Sequence, residues 1–235
     1  MKVEIWSDVV CPFCYIGKTK FETALNQFSE RSNIEIEWKS YQLMPDLTTQ
    51  LDKNIDQILA ETKGFSLEQA KQMNAQAAFM GKQVGLEYNF DKAIVTNTFR
   101  AHQFLHFAKA HGKQNEAEGL IFKSYFTDGR NVDDMATLIE LGESIGLDTN
   151  PLKIVLENET YANDVESDIN EARQIGIRSV PFFVFNRKYA VSGAQDPQVF
   201  LEVLEKSFAE WHKDNPSVTL KVSDGVVCDP QGKSN

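Results

Sequence analysis

Strand-like patterns occur only near the two ends of this 235-residue chain, and the long stretch between them has helical periodicity. Apolar runs or period-two alternation predict strands at 3–6, 34–43, 182–185 and 189–191. Over 46–160, apolar residues recur every three to four positions, which indicates helices and no strand. Further helices are predicted after the first strand, before the final strand pair and after it. This order favours one α/β fold that carries a large helical insertion.

The predicted domain boundaries follow from that order. Residues 1–45 and 160–212 would form one discontinuous α/β domain, and residues 46–159 would form a helical domain inserted after the second strand. Residues 213–235 would form a polar C-terminal tail. At roughly 150 residues per domain, the length suits a single fold with an insertion as well as two modules.

The charge balance excludes one broad class of partner. Lys and Arg number 24 against 34 Asp and Glu, a formal net charge of −10, whereas nucleic-acid binding rewards clustered basic residues. No run approaches the roughly 18 apolar residues of a membrane span, and the N-terminus lacks the basic and apolar regions of a secretory signal. We therefore expect a cytoplasmic protein with no nucleic-acid or membrane partner. The oligomeric state stays open.

The tetrapeptide Cys11-Pro12-Phe13-Cys14 stands between the first predicted strand and the helix that follows it. Cys11 falls at the helix N-cap, where unpaired N–H groups and the helix dipole stabilise a thiolate. Pro12 suits the first helical turn. Cys14 lies one turn further on, within reach of a mixed disulfide formed on Cys11. The pattern predicts thiol–disulfide exchange, with Cys11 as nucleophile and Cys14 as resolving thiol.

Zinc binding and inert thiols are the alternatives for this cysteine pair. A structural zinc site takes four ligands, and the sequence holds no second Cys-x-x-Cys or Cys-x-x-His. Cys228, in the tail, is expected to take no part in the reaction. The alternative is a regulatory thiol–disulfide exchange between Cys228 and Cys11. His102 and His106 lie four apart on a predicted helix, and we expect surface or groove-lining side chains there. No metal site is predicted.

A second feature is Val180-Pro181, directly before the last two predicted strands. A proline at the start of a strand removes one hydrogen-bond donor from the ladder, which a strand start tolerates. The functional alternative is a cis peptide bond, which proteins keep chiefly at specific turns. The sequence by itself leaves the isomer open.

Met73 and Met80 belong to the apolar stripe of a helix predicted to start at Ser66, where a capping box with Gln69 is expected. We expect both methionines in the core. The alternative is a pliable apolar groove for varied substrates, because methionine adapts its shape.

The arrangement of these motifs resembles that of the thioredoxin superfamily. A strand before a helix-opening Cys-x-x-Cys and a late Val-Pro before a hairpin are similar to that superfamily, and the insertion after the second strand is similar to its DsbA-like branch. Trp6–Gly17, Val180–Phe185, Ser192–Gln195 and Asn97–His102 closely resemble the cytoplasmic FrnE-like subfamily. The similarity covers about residues 1–210.

The resemblance implies a thioredoxin fold and thiol–disulfide oxidoreductase activity on protein or small-molecule disulfides. It implies no bound cofactor, with glutathione as a candidate co-substrate. Pro181 would be a cis-proline beside the cysteines, and the backbone of Val180 would pair with an extended substrate segment. Pro12 and Phe13 complete the implied substrate-binding set.

The chain departs from the periplasmic members of that family in two respects. It has no export signal, and Phe13 stands where those members carry a histidine. A neutral Phe13 adds no positive charge beside Cys11, so we expect a less oxidising pair. Its reduction potential should lie between about −270 mV, the thioredoxin value, and about −120 mV, the DsbA value.

Two other functions remain open on the sequence. A kappa-type glutathione-dependent transferase or isomerase shares the inserted thioredoxin fold, but that branch typically has serine where Cys11 stands. A chaperone-like binding module would use the helical block and would need neither active-site cysteine.

Overall fold

The computed structural model describes residues 1–216, and Cys228 with most of the predicted tail lies outside the described residues. Residues 1–216 contain six strands and nine α-helices. The strands are β1 (Lys2–Ser7), β2 (Glu35–Ser40), β3 (Gln50–Asn54), β4 (Ile94–Val95), β5 (Phe182–Phe185) and β6 (Tyr189–Ser192). The helices are α1 (Pro12–Gln27), α2 (Ile55–Lys63), α3 (Leu67–Gln83), α4 (Phe99–Ala110), α5 (Gln114–Phe126), α6 (Met135–Ser144), α7 (Thr149–Glu157), α8 (Ala162–Gln174) and α9 (Pro197–Asp214).

A four-stranded sheet in the order β2-β1-β5-β6 forms the centre of the fold. β1 pairs parallel with β2, with Val3 opposite Ile36, and antiparallel with β5. The parallel pair needs a crossover, which α1 supplies. β5 and β6 form the predicted hairpin, whose turn residues Asn186 and Arg187 both have positive φ, the geometry of a type I′ turn. The predicted α/β fold with a helical insertion is confirmed.

Aromatic packing holds α1 and α9 against one face of this sheet. The ring of Phe21 on α1 contacts Phe183 and Phe185 of β5 and Phe200 of α9, with centroids 5.5, 6.2 and 5.7 Å apart. All four rings are fully buried, and aromatic side chains contribute the largest apolar area per residue to a core. This packing fixes the direction of α1 and therefore the position of its N-terminus.

The opposite face of the sheet is covered by α8. Trp6 packs there with Ala172 and Val184, and its indole N–H donates to the carbonyl of Asp168 at 3.0 Å. No helix within residues 1–216 is long and apolar enough to cross a membrane. α9 continues to Asp214, two residues beyond the predicted end of the α/β domain at 212, and the other domain boundaries stay a prediction.

The prediction that residues 46–160 contain no strand is wrong. β3 pairs antiparallel with β4 in a separate two-stranded sheet, with a register shift between Gln50 and Asn54. β3 has no apolar alternation and β4 spans two residues, so neither presents the period-two pattern that marks a half-buried strand. The remaining elements of the insertion are helices, and the capping box between Ser66 and Gln69 at the start of α3 is confirmed.

The helical insertion and the N-terminus of α1 share one hydrophobic core. Cys11 and Cys14 belong to the same buried cluster as Phe104 of α4 and Ile121 and Phe122 of α5. The tetrapeptide therefore lies where the central sheet, α1 and the insertion meet.

Candidate active site

Cys11 occupies the N-cap of α1, as predicted, and Pro12 is the first helical residue. The Cys11 backbone is extended, its N–H donates to the Asp8 carbonyl at 2.9 Å, and its own carbonyl accepts from the N–H of Cys14 at 3.0 Å. These bonds fix the turn between β1 and α1. Cys11 is 4% exposed and lines a depression in the surface.

The loop before β5 brings Val180 and Pro181 to this helix end. The Sγ of Cys11 lies 3.7 Å from the carbonyl oxygen of Val180, although the two residues are 169 positions apart. The Val180–Pro181 peptide bond is cis. A Cβ on Gly17 would lie 2.9 Å from the Pro181 ring, so this approach of α1 to the loop requires glycine at position 17.

Cys14 lies one turn into α1 and is fully buried. The hydroxyl of Ser7 and the backbone of Asp8 are within hydrogen-bonding reach of its sulfur. Burial raises the pKa of the Cys14 thiol well above its ordinary value, and the neighbouring Cys11 adds to that effect. Cys14 therefore keeps its proton in the reduced pair, as a resolving thiol would before it attacks.

Sequence reasoning missed Glu118, a buried acid that is hydrogen-bonded to Ser7. Glu118 on α5 is 1% exposed, and its Oε1 accepts a hydrogen bond from the Ser7 hydroxyl at 2.9 Å. Its Oε2 is buried and has no hydrogen-bond partner among residues 1–216. Burial raises the pKa of Glu118 to about 7, and the charges of His102 and Lys18 offset only part of this effect. The carboxyl can therefore gain or lose a proton near neutral pH.

The sequence did contain a signal for Glu118. The buried face of α5 also carries Ala117, Ile121, Phe122 and Tyr125, so a carboxyl at position 118 interrupts an apolar stripe. An ionisable side chain on such a face is a candidate functional group, because burying its charge is costly.

The prediction that His102 and His106 are surface or groove-lining side chains is wrong. His102 is 2% exposed, and its Nε2 lies 2.9 Å from the Tyr41 carbonyl and 3.4 Å from the Asp8 carboxylate. His106 is also buried, with its Nε2 3.1 Å from the Ser40 hydroxyl and near Asp168. α4 is enclosed by neighbouring elements on most sides, so its polar side chains find partners inside the protein.

The two histidines do not belong to a metal cluster in the described part of the chain. Within residues 1–216, no group of three or more His, Cys, Asp and Glu side chains is placed to hold a metal ion. The neighbours of Cys11 and Cys14 are instead the Val180 carbonyl and the Ser7 hydroxyl.

An apolar groove of about 420 Å³ begins at Cys11 and runs between α2 and α3. Pro12 and the 40% exposed Phe13 form its rim on the α1 side. Met73 and Met80 line the α3 side, and Met73 is 43% exposed, so the expectation of a core position for Met73 is wrong. The reason is that no described element covers this stripe of α3. The geometry matches the alternative of an apolar groove.

Sequence and structure comparisons agree with this arrangement. Residues 2–205 match the DSBA-like thioredoxin domain family. YwbO, an uncharacterized protein of Bacillus subtilis, is 30% identical over 213 residues, which cover 90% of this chain and 97% of that protein. A probable DsbA oxidoreductase from Streptomyces coelicolor is 35% identical with a TM-score of 0.81, covering 99% of this chain and 97% of that structure.

More distant solved structures share the fold. A cytosolic disulfide reductase, DsbM from Pseudomonas aeruginosa with GSH, is 13% identical with a TM-score of 0.64, covering 89% of this chain and 100% of that structure. A 2-hydroxychromene-2-carboxylate isomerase is 15% identical with a TM-score of 0.66, covering 92% and 100%. On the match over residues 2–205, this chain belongs to the DSBA-like thioredoxin domain family of thiol–disulfide oxidoreductases.

Proposed function

We propose that this protein is a dithiol–disulfide oxidoreductase in which Cys11 attacks the substrate and Cys14 resolves the mixed disulfide. The observation that carries the proposal is the pairing of two unlike thiols at one helix end. Cys11 lies at the N-cap beside the Val180 carbonyl, at the edge of the groove. Cys14 lies one turn below, buried and within reach of Ser7.

In the reducing direction, the Cys11 thiolate attacks one sulfur of a substrate disulfide. A Cys11–substrate disulfide forms, and the other substrate sulfur leaves as a thiolate. Cys14 then loses its proton, its thiolate attacks Cys11 Sγ, and the second substrate thiolate leaves. The products are two substrate thiols and a Cys11–Cys14 disulfide. Oxidation of a substrate dithiol runs through the same steps in reverse.

Glu118 supplies the proton acceptor that the second step needs. Cys14 can pass its proton to the Ser7 oxygen while the Ser7 hydroxyl passes its own proton to Glu118 Oε1, 2.9 Å away. A pKa of about 7 suits this role, because general acid–base groups work best when their pKa lies near the working pH. Glu118 and Cys14 then share one negative charge between them.

Pro12, Phe13, Val180 and Pro181 form the proposed substrate-contact set. The carbonyl of Val180 lies against Cys11 and precedes β5, whose own backbone pairs with β1 and β6. An extended substrate segment passing Cys11 would meet the Val180 backbone before that paired region begins. We propose that the disulfides taken are those of proteins or small molecules.

A single-turnover assay tests the proposal. The reduced protein, with Cys228→Ser, is mixed with excess aromatic disulfide, and released thiol is counted per chain. Two thiols per chain are expected for this background, one for Cys14→Ser with the mixed disulfide trapped and visible by mass, and none for Cys11→Ser. Release of no thiol by the parent protein would overturn the proposal.

The same variants separate the kappa-type alternative and the chaperone alternative. A glutathione-dependent transferase or isomerase would keep full turnover with glutathione when Cys14 is replaced. A binding module would suppress client aggregation with both Cys11 and Cys14 replaced. If the parent protein releases no thiol, the first result would assign the site to a glutathione-dependent transferase or isomerase. The second result would assign it to a binding module.

We further propose that the protein works in the cytoplasm, with glutathione as a candidate electron partner. In support, a structural relative is described as a cytosolic disulfide reductase with GSH. Equilibration in glutathione buffers should give a potential between about −270 and −120 mV. A value near or below about −220 mV would favour a reductase role, and a value above about −180 mV would favour an oxidant or isomerase.

A further inference from the structure

The groove beside Cys11 has apolar walls. Ile55 and Leu59 of α2 line one side, Ala77 and Met80 of α3 line the other, and Phe126 of α5 also contributes to the lining. Its volume of about 420 Å³ lies within the usual range for small-molecule sites, about 300 to 1,000 Å³. Cys11 is itself a lining residue. A disulfide attacked by Cys11 would therefore place one of its substituents in this groove.

Few polar side chains line the groove, and one of them, Asn74, is hydrogen-bonded to another side chain. The side-chain amide of Asn74 donates to the Asp56 carboxylate at 2.6 Å, and both side chains are buried. No carboxylate is among the described residues that line the groove. An apolar ligand body would thus remove apolar surface from water without leaving a buried charge unpaired.

Lys63 is the single charged residue among the described groove-lining residues. It lies in the last turn of α2 and is exposed at the groove edge. Glu61, the acidic residue closest to it along the chain, pairs with Lys53 at 3.2 Å instead. In a chain of net charge −10, Lys63 places a positive charge at a groove that no described carboxylate lines.

We propose that the groove binds small-molecule disulfides whose apolar, ring-sized body carries a carboxylate, with the body between α2 and α3 and the carboxylate at Lys63. The inference rests on the proposed thiol–disulfide exchange. Cys11 thiolate forms a disulfide with the sulfur of the bound half and expels the other half as a thiolate. The deprotonated Cys14 then displaces the bound half from Cys11, which leaves two substrate thiols and the Cys11–Cys14 disulfide.

Stopped-flow measurement of the first thiolate release tests this assignment with three disulfides. Dithiobis-nitrobenzoate is aromatic and anionic, dithiodipyridine is aromatic and neutral, and cystamine is aliphatic and cationic. Each rate constant is divided by that of a simple thiol, which removes intrinsic reactivity. Lys63→Glu should lower the normalised rate with dithiobis-nitrobenzoate about fivefold, the upper range for an exposed ion pair. The rate with dithiodipyridine should stay unchanged.

Two further variants complete the design. Lys82→Glu, on the exposed last turn of α3 and outside the groove, makes the same charge change and should leave all three rates unchanged. Met80→Ser should slow both aromatic disulfides and leave cystamine unaffected, because it places a polar group in the apolar wall. Equal effects of Lys63→Glu and Lys82→Glu would overturn the assignment, as would an unchanged rate for Lys63→Glu.

The same variants test whether the groove binds a polypeptide instead of a small molecule. If Met80→Ser slows reduction of an unfolded disulfide-bonded protein but leaves both aromatic disulfides unaffected, the groove serves polypeptides and the small-molecule proposal is wrong. Failure of thiol–disulfide exchange itself has a different signature, since no disulfide would then release thiol from the parent protein.

Discussion

Glu37 and Glu118 are two buried glutamates with opposite acid–base behaviour. Glu37 on β2 is 5% exposed and contacts the ammonium groups of Lys2 and Lys109, with Lys39 at 3.5 Å. Burial acts to raise the pKa of Glu37, but the three lysines outweigh it and hold the pKa at about 2. Glu118 is 1% exposed and accepts one neutral hydrogen bond, from Ser7, so burial raises its pKa to about 7.

The comparison teaches that partners, rather than burial, decide what a buried carboxyl does. With cations beside it, the Glu37 carboxylate stays ionised throughout the physiological range and ties β2 to α4. Glu118 forms no direct ion pair within residues 1–216, and the charges of His102 and Lys18 offset burial only in part, so Glu118 can exchange a proton near neutral pH. Glu118 accepts a hydrogen bond from Ser7, a residue that also acts on the pKa of Cys14, whereas Glu37 lies in an ion-pair network with Lys39 and Asp168.

The largest effect is expected on stability from Glu118→Gln. The pKa of Glu118 is raised in the folded protein, so the folded state binds more protons and stability falls as the pH rises from about 4.5 to about 7. Glutamine keeps the bond from Ser7 and carries no charge. At about pH 8 the variant should therefore be more stable by up to about 3 kcal/mol, and the gain should vanish below about pH 4.5.

Urea unfolding at several pH values checks this gain. A variant that is equally or less stable at about pH 8 would remove the distinction between the two glutamates.

Glu37→Gln should act in the opposite direction. The pKa of Glu37 is lowered in the folded protein, so its stabilisation is present above about pH 4.5 and lost as the pH falls towards 2. At neutral pH the variant should lose roughly 2 kcal/mol, a value reduced for solvent screening because the Lys2 and Lys109 side chains are each 42% exposed. Urea unfolding at neutral pH and near pH 2 measures the loss, which should be absent at the lower pH.

A smaller effect is expected on the second thiol release. At about pH 8, Glu118→Gln should slow resolution of the Cys11 mixed disulfide about tenfold and abolish the rise in rate through about pH 7 that Glu118 ionisation gives the parent protein. The first release, by Cys11, should keep its rate. Single-turnover kinetics over a pH series separate the two steps.

Glu37→Gln is the matched control for that kinetic experiment, since it removes a buried carboxylate whose partners are lysines rather than Ser7. An identical slowing in both variants would attribute the effect to general loosening and not to proton transfer. Ser7→Thr should preserve the pH profile, because it keeps the hydroxyl between Cys14 and Glu118.

The smallest effect is expected from Lys109→Met. This change removes one of the three lysines around Glu37 and should cost about 0.5 kcal/mol, as is usual for a pair with one exposed partner. The cost should shrink at about 1 M salt, because salt screens exposed charges. Unfolding at two salt concentrations is the measurement, and the pH profile of thiol release should not change.

The positions of Cys11, Pro12 and Cys14 on α1 were the part of the candidate site that the sequence predicted well. Cys11 at the N-cap, Pro12 at the first helical position and Cys14 one turn later depend on contacts within a few residues. Helix capping and helix periodicity are local properties, so the sequence carries them directly. The strands of the central sheet were predicted for the same reason, since their apolar runs mark them individually.

The missed features depend on contacts between distant parts of the chain. Ser7 and Glu118 are 111 positions apart, and the lysines around Glu37 come from β1, β2 and α4. His102 was expected near the surface because its own helix does not show what covers it. β3 pairs with β4 through its backbone, without a side-chain pattern that a reader of the sequence could follow.

The sequence by itself determined the α/β fold with its helical insertion and the two cysteines at the start of α1, because periodicity, capping and spacing act over a single turn or strand. Only the tertiary structure decided which carboxyl meets lysines and which meets Ser7 and Cys14. It also decided that Met73 lines a groove beside Cys11. The physical reason is that desolvation and charge pairing depend on which elements pack together, and that packing brings together residues far apart in the chain.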